Sequence, residues 1–327
     1  MGETSMRKKV LGLGAAAMDI VLQCESLPRE DGFAFIRREQ LMPGGSCANV
    51  LVTLVRLGTN ASLVAALGDD HYGIMFKDEL AQTGVGTENI KIRKNGTSLH
   101  TFVTVDSRGA RSIFVNPGDC LLSLSPEEVE VSMLEGVGVF YTDMFPGHAA
   151  LKLARFALER DIPVVFALEC PPSFMEQCGI GKEEIEQMLS LCTLFCTGRE
   201  ALQELAGQSD PEKAARHIYR LFRPPLGLVV TSGEKGALWL TDEQTIHMPI
   251  FPVETVDTTG AGDAFAGGLI HAYFFRGQGR EDSLQFASAC AAIKCSQFGP
   301  RMQAKEAQVR EFLQKHTLNK KILFGLR

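Results

Sequence analysis

From about residue 46 onward the chain alternates short apolar runs with stretches of helical periodicity, and this rhythm constrains the fold more than any other feature. Val50, Leu51, Leu54, Val55 and Leu57 recur at helical spacing behind Ser46, a residue type that caps helix N-termini, so a helix is expected there. Leu63 to Leu67 reads as a strand and Gly73 to Gln82 as a second helix. Val137 to Thr142, Val164 to Leu168, Leu194 to Cys196 and Leu228 to Thr231 are strand-like, with helical segments between them. The alternation predicts a mostly parallel sheet with helices on both faces.

Two regions depart from it. Residues 15–43 and 97–118 carry alternating runs such as Thr101 to Val105 and Arg111 to Val115, with Ser107-Arg-Gly109 as a hairpin turn between them. Neither contains a convincing helix. They are expected to form a small projecting sheet, a lid or a dimer contact, beside a main α/β domain of residues 1–14, 44–96 and 119–327.

The N-terminal Met6-Arg-Lys-Lys and the apolar Val10 to Met18 imitate a signal peptide, but Asp19 interrupts the run, and a first buried strand is the better reading. Residues beyond Met18 read as a continuation of that strand, which argues against taking Gly12-Leu-Gly-Ala-Ala-Ala17 as a dinucleotide-binding turn, since that turn should open a helix. A chain of 327 residues with 45% hydrophobic and 22% charged content suffices for one substantial core. Its net charge of -6 lacks the footprint of a nucleic-acid or anionic-membrane binder, so small-molecule substrates are expected. No apolar stretch approaches the ~18 residues of a membrane span, and a cytoplasmic location is expected. The nine cysteines show no metal-binding spacing, and the pairs Cys192/Cys196 and Cys290/Cys295 read as buried thiols. The basic and apolar tail from Asn319 to Arg327 suggests no role.

The densest chemistry lies in Asp257-Thr-Thr-Gly-Ala-Gly-Asp263. The amides of Gly260, Ala261 and Gly262 at a helix start can hold an anion, and the Asp263 carboxylate follows within reach of whatever attacks it. Phosphoryl transfer to a hydroxyl needs both. Gly44-Gly45-Ser-Cys-Ala-Asn49 is a turn into a helix whose glycines admit close backbone approach and whose Asn offers a donor and an acceptor to a hydroxyl-rich ligand. Thr231-Ser-Gly-Glu-Lys-Gly236 joins two strands, and its Thr and glycines suit a nucleotide phosphate at the sheet edge. No GxxxxGK[ST] run is present, so the phosphate cradle is not a P-loop.

In this order the pieces resemble the PfkB (ribokinase-like) family of carbohydrate and nucleoside kinases, from Val10 to about Gly299. Asp257 to Ile270 is similar to the family's C-terminal signature DTxGAGD, and Gly44-Gly45 to Gly68 to its N-terminal one. The resemblance implies a three-layer α/β/α ribokinase-like fold with a mostly parallel central sheet and a β-sheet lid. It implies ATP and Mg2+, a sugar acceptor phosphorylated on a CH2OH group, and a homodimer through the lid. Asp263 would be the base, Gly260, Ala261 and Gly262 the anion hole, and Asp19, Gly44, Gly45, Asn49 and, more loosely, Asp143 the sugar contacts. Thr231, Gly233 and Gly236 would face the nucleotide, with Ser288 where ribokinase has an adenine-contacting Asn. Thr197-Gly-Arg-Glu200 keeps only the acid of the motif linked to magnesium. Asp257 and Thr259 keep part of a monovalent-cation loop, but residues 297–303 match it poorly, which leaves potassium open. Cys47 and Leu51 stand where the family has smaller residues, and Phe33, Arg37, Arg38, Phe102 and Arg111 of the lid are candidate specificity residues. A fructose- or ribose-like sugar is the leading acceptor; a nucleoside such as adenosine, and an inactive sugar-binding regulator, are the alternatives.

Overall fold

The computed structural model describes residues 8–107 and 110–316. Its strands, in chain order, are β1 (Lys9–Leu13), β2 (Ala17–Cys24), β3 (Ile36–Gly44), β4 (Ala61–Gly68), β5 (Gly86–Arg93), β6 (His100–Val105) and β7 (Arg111–Asn116). They continue with β8 (Val137–Thr142), β9 (Val164–Leu168), β10 (Leu194–Gly198), β11 (Gly227–Thr231), β12 (Ala237–Leu240) and β13 (Thr245–Met248). Nine of them form one sheet in the order β13-β12-β11-β10-β9-β8-β1-β4-β5. Pairing is parallel from β11 through β5, and only the β11–β12 and β12–β13 pairs are antiparallel.

Strand periodicity divides the core between the two faces of this sheet. Leu11, Leu13, Phe140, Phe166 and Phe195 pack on one face, whereas their neighbours Val10, Val139, Tyr141, Val165 and Leu194 pack on the other. Runs buried on both sides leave no polar position to mark an edge, which is why the central strands read as continuous apolar stretches.

The small sheet has the order β3-β2-β6-β7, with β2 and β6 parallel and both outer pairs antiparallel. Its strands fall in the two helix-free regions, while the turn residues Arg108 and Gly109 lie outside the described residues. So do Met6 and Arg7 of the signal-like start and the tail from Asn319. Val10 begins a buried strand as expected, but the continuation does not hold. β1 ends at Leu13, the chain breaks over Gly14 to Ala16, and β2 belongs to the other sheet. No helix among the described residues is long and apolar enough to cross a membrane.

Helix Ala261–Ile270 is wedged between helices Ser46–Arg56 and Arg280–Cys295. A Cβ on Gly267 would come within 2.7 Å of the Thr53 side chain, and one on Gly268 within 2.8 Å of Cys290 Sγ. These small residues let three helices approach closely enough to bring Ser46, Asn49 and Asp263 together.

Candidate active site

Gly260 sets the geometry of the turn. It is the N-cap of the Ala261–Ile270 helix with φ of 76°, a left-handed conformation that disfavours any side chain. A Cβ there would lie 1.8 Å from the carbonyl oxygen of Pro300. The Ala261 N–H, expected to join the anion hole, instead closes a turn onto Thr258 O at 3.1 Å. The amides of Gly260, Gly262 and Asp263 have no partner among the described residues, so two of the three expected donors stay available and Asp263 N takes the place of Ala261.

Asp263 follows in the first helical turn and is buried to 8% exposure. The Ser46 hydroxyl donates to its Oδ1 at 2.7 Å, and the Asn49 amide nitrogen donates to its Oδ2 at 2.8 Å. Arg301 Nε donates to Asn49 Oδ1 at 3.0 Å, which fixes the Asn49 amide with its nitrogen toward the carboxylate. Arg301 also pairs with Glu79 through Nη1, and its buried Nη2 has no hydrogen-bond partner among the described residues. Burial raises the Asp263 pKa to about 6, against the lowering effect of Asn49, Ser46 and Arg301.

Ser46 therefore does not cap its helix. Gly45 occupies the N-cap with φ of 85°, and a Cβ on it would meet Ala15 O at 2.5 Å. Neither Ser46 nor Arg301 was expected in the site from the sequence. Ser46 carried an adequate reading as a cap, and a single Arg after Gly299-Pro300 has no motif spacing.

Asp19 pairs with Met42 and Gly44 with Ala17 across β2 and β3, and the Asp19 side chain reaches diagonally to Gly44, so closely that a Cβ there would lie 2.3 Å from its Oδ2. Thr101 donates its hydroxyl to Asp19 Oδ1 at 2.6 Å. Burial raises the Asp19 pKa, opposed by Thr101 and Arg301. Asp19, Thr101, Val21, Met42 and Ile113 line a cavity of about 490 Å³ between the small sheet and the segment Thr255 to Thr259. Of the lid residues, Phe33 is 98% exposed and Arg37 pairs with Glu25 at 2.5 Å, so both face solvent. The Arg111 side chain is not among those described.

Asp143, the looser of the expected sugar contacts, sits deep in the fold. It is 2% exposed, and its carboxylate accepts from the amides of Ala15, Cys47 and Phe145 at 3.0–3.3 Å. Burial raises its pKa to about 7 while these amides pull it down. These contacts tie the Gly14–Ala15 turn to the start of the Ser46–Arg56 helix.

A second cavity, of about 540 Å³, opens on the other side of the turn. Thr231, Gly233, Gly236 and Ser288 all line it, with Ala261 and Gly262 at its inner end and Phe251 and Val253 along an apolar wall. Cys295 also lines it and is only half-buried, unlike Cys192, Cys196 and Cys290.

Glu169, just past β9, was missed by the sequence reading. A Cβ on Gly262 would lie 3.6 Å from its Oε2, so this carboxylate faces the Gly260–Gly262 turn. Glu169 is open to solvent, yet the protein crowded around its carboxyl and the charges of Asp263 and Asp143 raise its pKa. Glu200 stands in the first turn of helix Arg199–Ala206, its side chain 83% exposed and 3.8 Å from Arg199. Thr197 beside it donates to Leu168 O at 3.1 Å. No group of three or more His, Cys, Asp or Glu positioned to hold a metal occurs among the described residues. Asp257 accepts from the amides of Thr259 and Gly299, and Lys294 Nζ donates to its carbonyl.

Two cavities meeting at one helix-start turn suit transfer of a group between two small molecules, and the chain is a phosphotransferase with an alcohol acceptor. The sequence matches the family model described as pfkB family carbohydrate kinase over residues 7–307, and the chain belongs to that family. An ATP-dependent ribose-1-phosphate kinase of Halopiger xanaduensis is 30% identical over 307 residues, covering 93% of this chain and 98% of that protein. Fructokinase-1 of Zea mays is 28% identical, over 94% and 98% of the two chains. Among solved structures, ribokinase from Thermotoga maritima superposes with a TM-score of 0.81 at 23% identity, over 94% of this chain and 99% of its own. Arabidopsis thaliana ribokinase, complexed with ribose and ATP, superposes with a TM-score of 0.80 at 22% identity, with the same coverages. The ribokinase-like architecture, a large mostly parallel sheet with helices and a separate small sheet, is thereby established.

Proposed function

We propose that this enzyme transfers the γ-phosphate of ATP to a hydroxymethyl group of a small fructose- or ribose-like sugar, with Asp263 as general base. The observation that carries the reading is the setting of Asp263, a buried carboxylate gripped by Ser46 and Asn49 beside an anion-binding helix start between two cavities. A sugar hydroxyl is far too weak an acid for a carboxylate to deprotonate in advance. Asp263 accepts the proton as the bond from the acceptor oxygen to phosphorus forms and the bond from phosphorus to the ADP oxygen breaks. Ser46 and Asn49 each engage one carboxylate oxygen and fix its rotation, leaving lone pairs for the acceptor hydroxyl. The free amides of Gly260, Gly262 and Asp263 hold the transferring phosphoryl oxygens.

ATP takes the Thr231–Gly236 side, with its base against Ser288 and the Phe251–Val253 wall. Mg2+ needs carboxylate and phosphate oxygens, and Glu169, whose negative surroundings a cation would relieve, fits that demand, with Glu200 past the neighbouring strand. When bound, Mg2+ neutralises charge developing on the phosphate chain. The sugar lies over Asp19, Gly44, Gly45 and Asn49, and the small sheet closes over it to exclude water.

A phosphorylated sugar is the second reading. Arg301 lies near Asp19 and Asp263 with Nη2 unpartnered, and a relative at 30% identity is named for ribose 1-phosphate. ADP release across free sugars, sugar phosphates and nucleosides tests both. Turnover with fructose or ribose is expected; turnover only with sugar phosphates would favour the second reading, and turnover confined to nucleosides would overturn both.

On the face turned away from the cavity, the cross-strand pair Phe102 and Phe114 is 38% and 65% exposed, and we assign its cover to a second copy of the chain. Light scattering should report a dimer that Phe114→Glu dissociates, and a monomeric wild type would refute this.

A further inference from the structure

The family resemblance implies a monovalent cation at the loop of Asp257 and Thr259, and the residues present do not fit one. Lys294, in the last turn of helix Arg280–Cys295, is 0% exposed and sends its ammonium into that loop. Lys294 Nζ donates to the carbonyl oxygen of Asp257 at 2.7 Å and to that of Gln297 at 3.2 Å. It thus bridges the two segments between which the cation would lie. The Asp257 carboxylate is itself tied into the loop. Its Oδ1 accepts from Thr259 N at 2.9 Å and its Oδ2 from Gly299 N at 3.0 Å. The amides of Val256 and Asp257 both donate to Cys295 O, closing the same junction from the backbone side.

We infer that the Lys294 ammonium is a tethered replacement for the monovalent cation, holding the Asp257 loop and, through it, the Gly260 turn in working geometry without potassium. An ammonium suits the position physically. It is a compact cation whose donors satisfy the carbonyls at a helix C-terminus, where positive charge is favoured. Asp257 lies three residues before Gly260, whose own position against Pro300 depends on the 297–301 segment that Lys294 binds. Lys294 touches neither substrate nor reacting atoms in this arrangement; it is a positioning residue.

The inference goes beyond the acceptor assignment, and a readout independent of turnover keeps the two separable. Thermal unfolding should be measured in potassium chloride and in tetramethylammonium chloride at equal ionic strength, for the wild type and Lys294→Met. The wild-type midpoint should be the same in both salts, and its turnover with any accepted sugar should change by less than about twofold. Lys294→Met should be less stable in tetramethylammonium, and potassium or ammonium should raise its midpoint by about 2 °C or more while restoring activity at least about tenfold. A wild type stabilised or activated tenfold by potassium would overturn the inference, as would a Lys294→Met protein that folds and works like the wild type in tetramethylammonium. If the variant does not fold in either salt, the wild-type comparison decides alone.

Discussion

Asp263→Asn should lower kcat by about 10²–10⁴-fold while leaving ATP and sugar affinity within a few-fold of the wild type. The loss corresponds to about 3–5 kcal/mol of transition-state stabilisation. The isosteric amide still fills the space between Ser46 and Asn49 and can still accept from one of them. What it loses is the capacity to take a proton. The pH dependence follows from the same group. Because burial raises the Asp263 pKa to about 6, the base is ionised above that pH, so kcat/KM should climb through about pH 6 and level off. The stability effect has the opposite sign. A carboxyl whose folded pKa exceeds its unfolded value favours the native state at pH below the unfolded pKa, and that contribution is lost as pH rises through about 6. At pH 8 the wild type therefore keeps a buried ionised carboxylate at some cost, and Asp263→Asn should melt no lower than the wild type. Steady-state kinetics, titration of each ligand and a melting curve separate these effects; near-normal turnover in the variant would remove Asp263 from the role of base.

Gly260→Ala should be nearly as damaging, for a different reason. The left-handed conformation costs a residue bearing a Cβ about 1–2 kcal/mol, and the new methyl would meet Pro300 O at 1.8 Å, so the turn must move. Moving it misaims the first-turn amides, and loss of one such donor costs about 10²–10³-fold in kcat. Gly262→Ala is the control. That residue is helical, its Cβ would reach only to 3.6 Å from Glu169 Oε2, and alanine favours a helix, so its stability should equal or exceed that of the wild type. Parallel melting curves and kcat values check the pair; a Gly260→Ala protein with wild-type stability and turnover would contradict the role of the turn.

The reaction was legible in the sequence because its parts are contiguous. Asp263 and its nest sit within one turn, and glycines directly before an acid at a helix start are what an anion cradle beside a proton acceptor requires. The parallel sheet was legible because strands buried on both faces carry unbroken apolar runs. The partners of Asp263 were not. Ser46 and Asn49 reach it across 217 and 214 residues of sequence, and Arg301 reaches Asn49 across 252. Such convergence depends on three helices packing at close range. Ser46 satisfied a local rule for capping while serving a distant carboxylate. The three backbone amides from which Asp143 accepts were equally hidden, since Ala15 and Cys47 lie 128 and 96 residues away in sequence. Glu169 and Lys294 carry no spacing signal, and only the fold places one opposite Gly262 and the other inside the Asp257 loop.

The most direct test of the chemistry is the phosphorus NMR spectrum of the product formed from ATP and fructose or ribose. A phosphomonoester signal split into a triplet by the two protons of a single CH2 group, absent with Asp263→Asn, is the expected result. A signal coupled to one CH proton would place the phosphate on a ring hydroxyl, and inorganic phosphate alone would make the protein an ATPase; either would contradict transfer to a hydroxymethyl group.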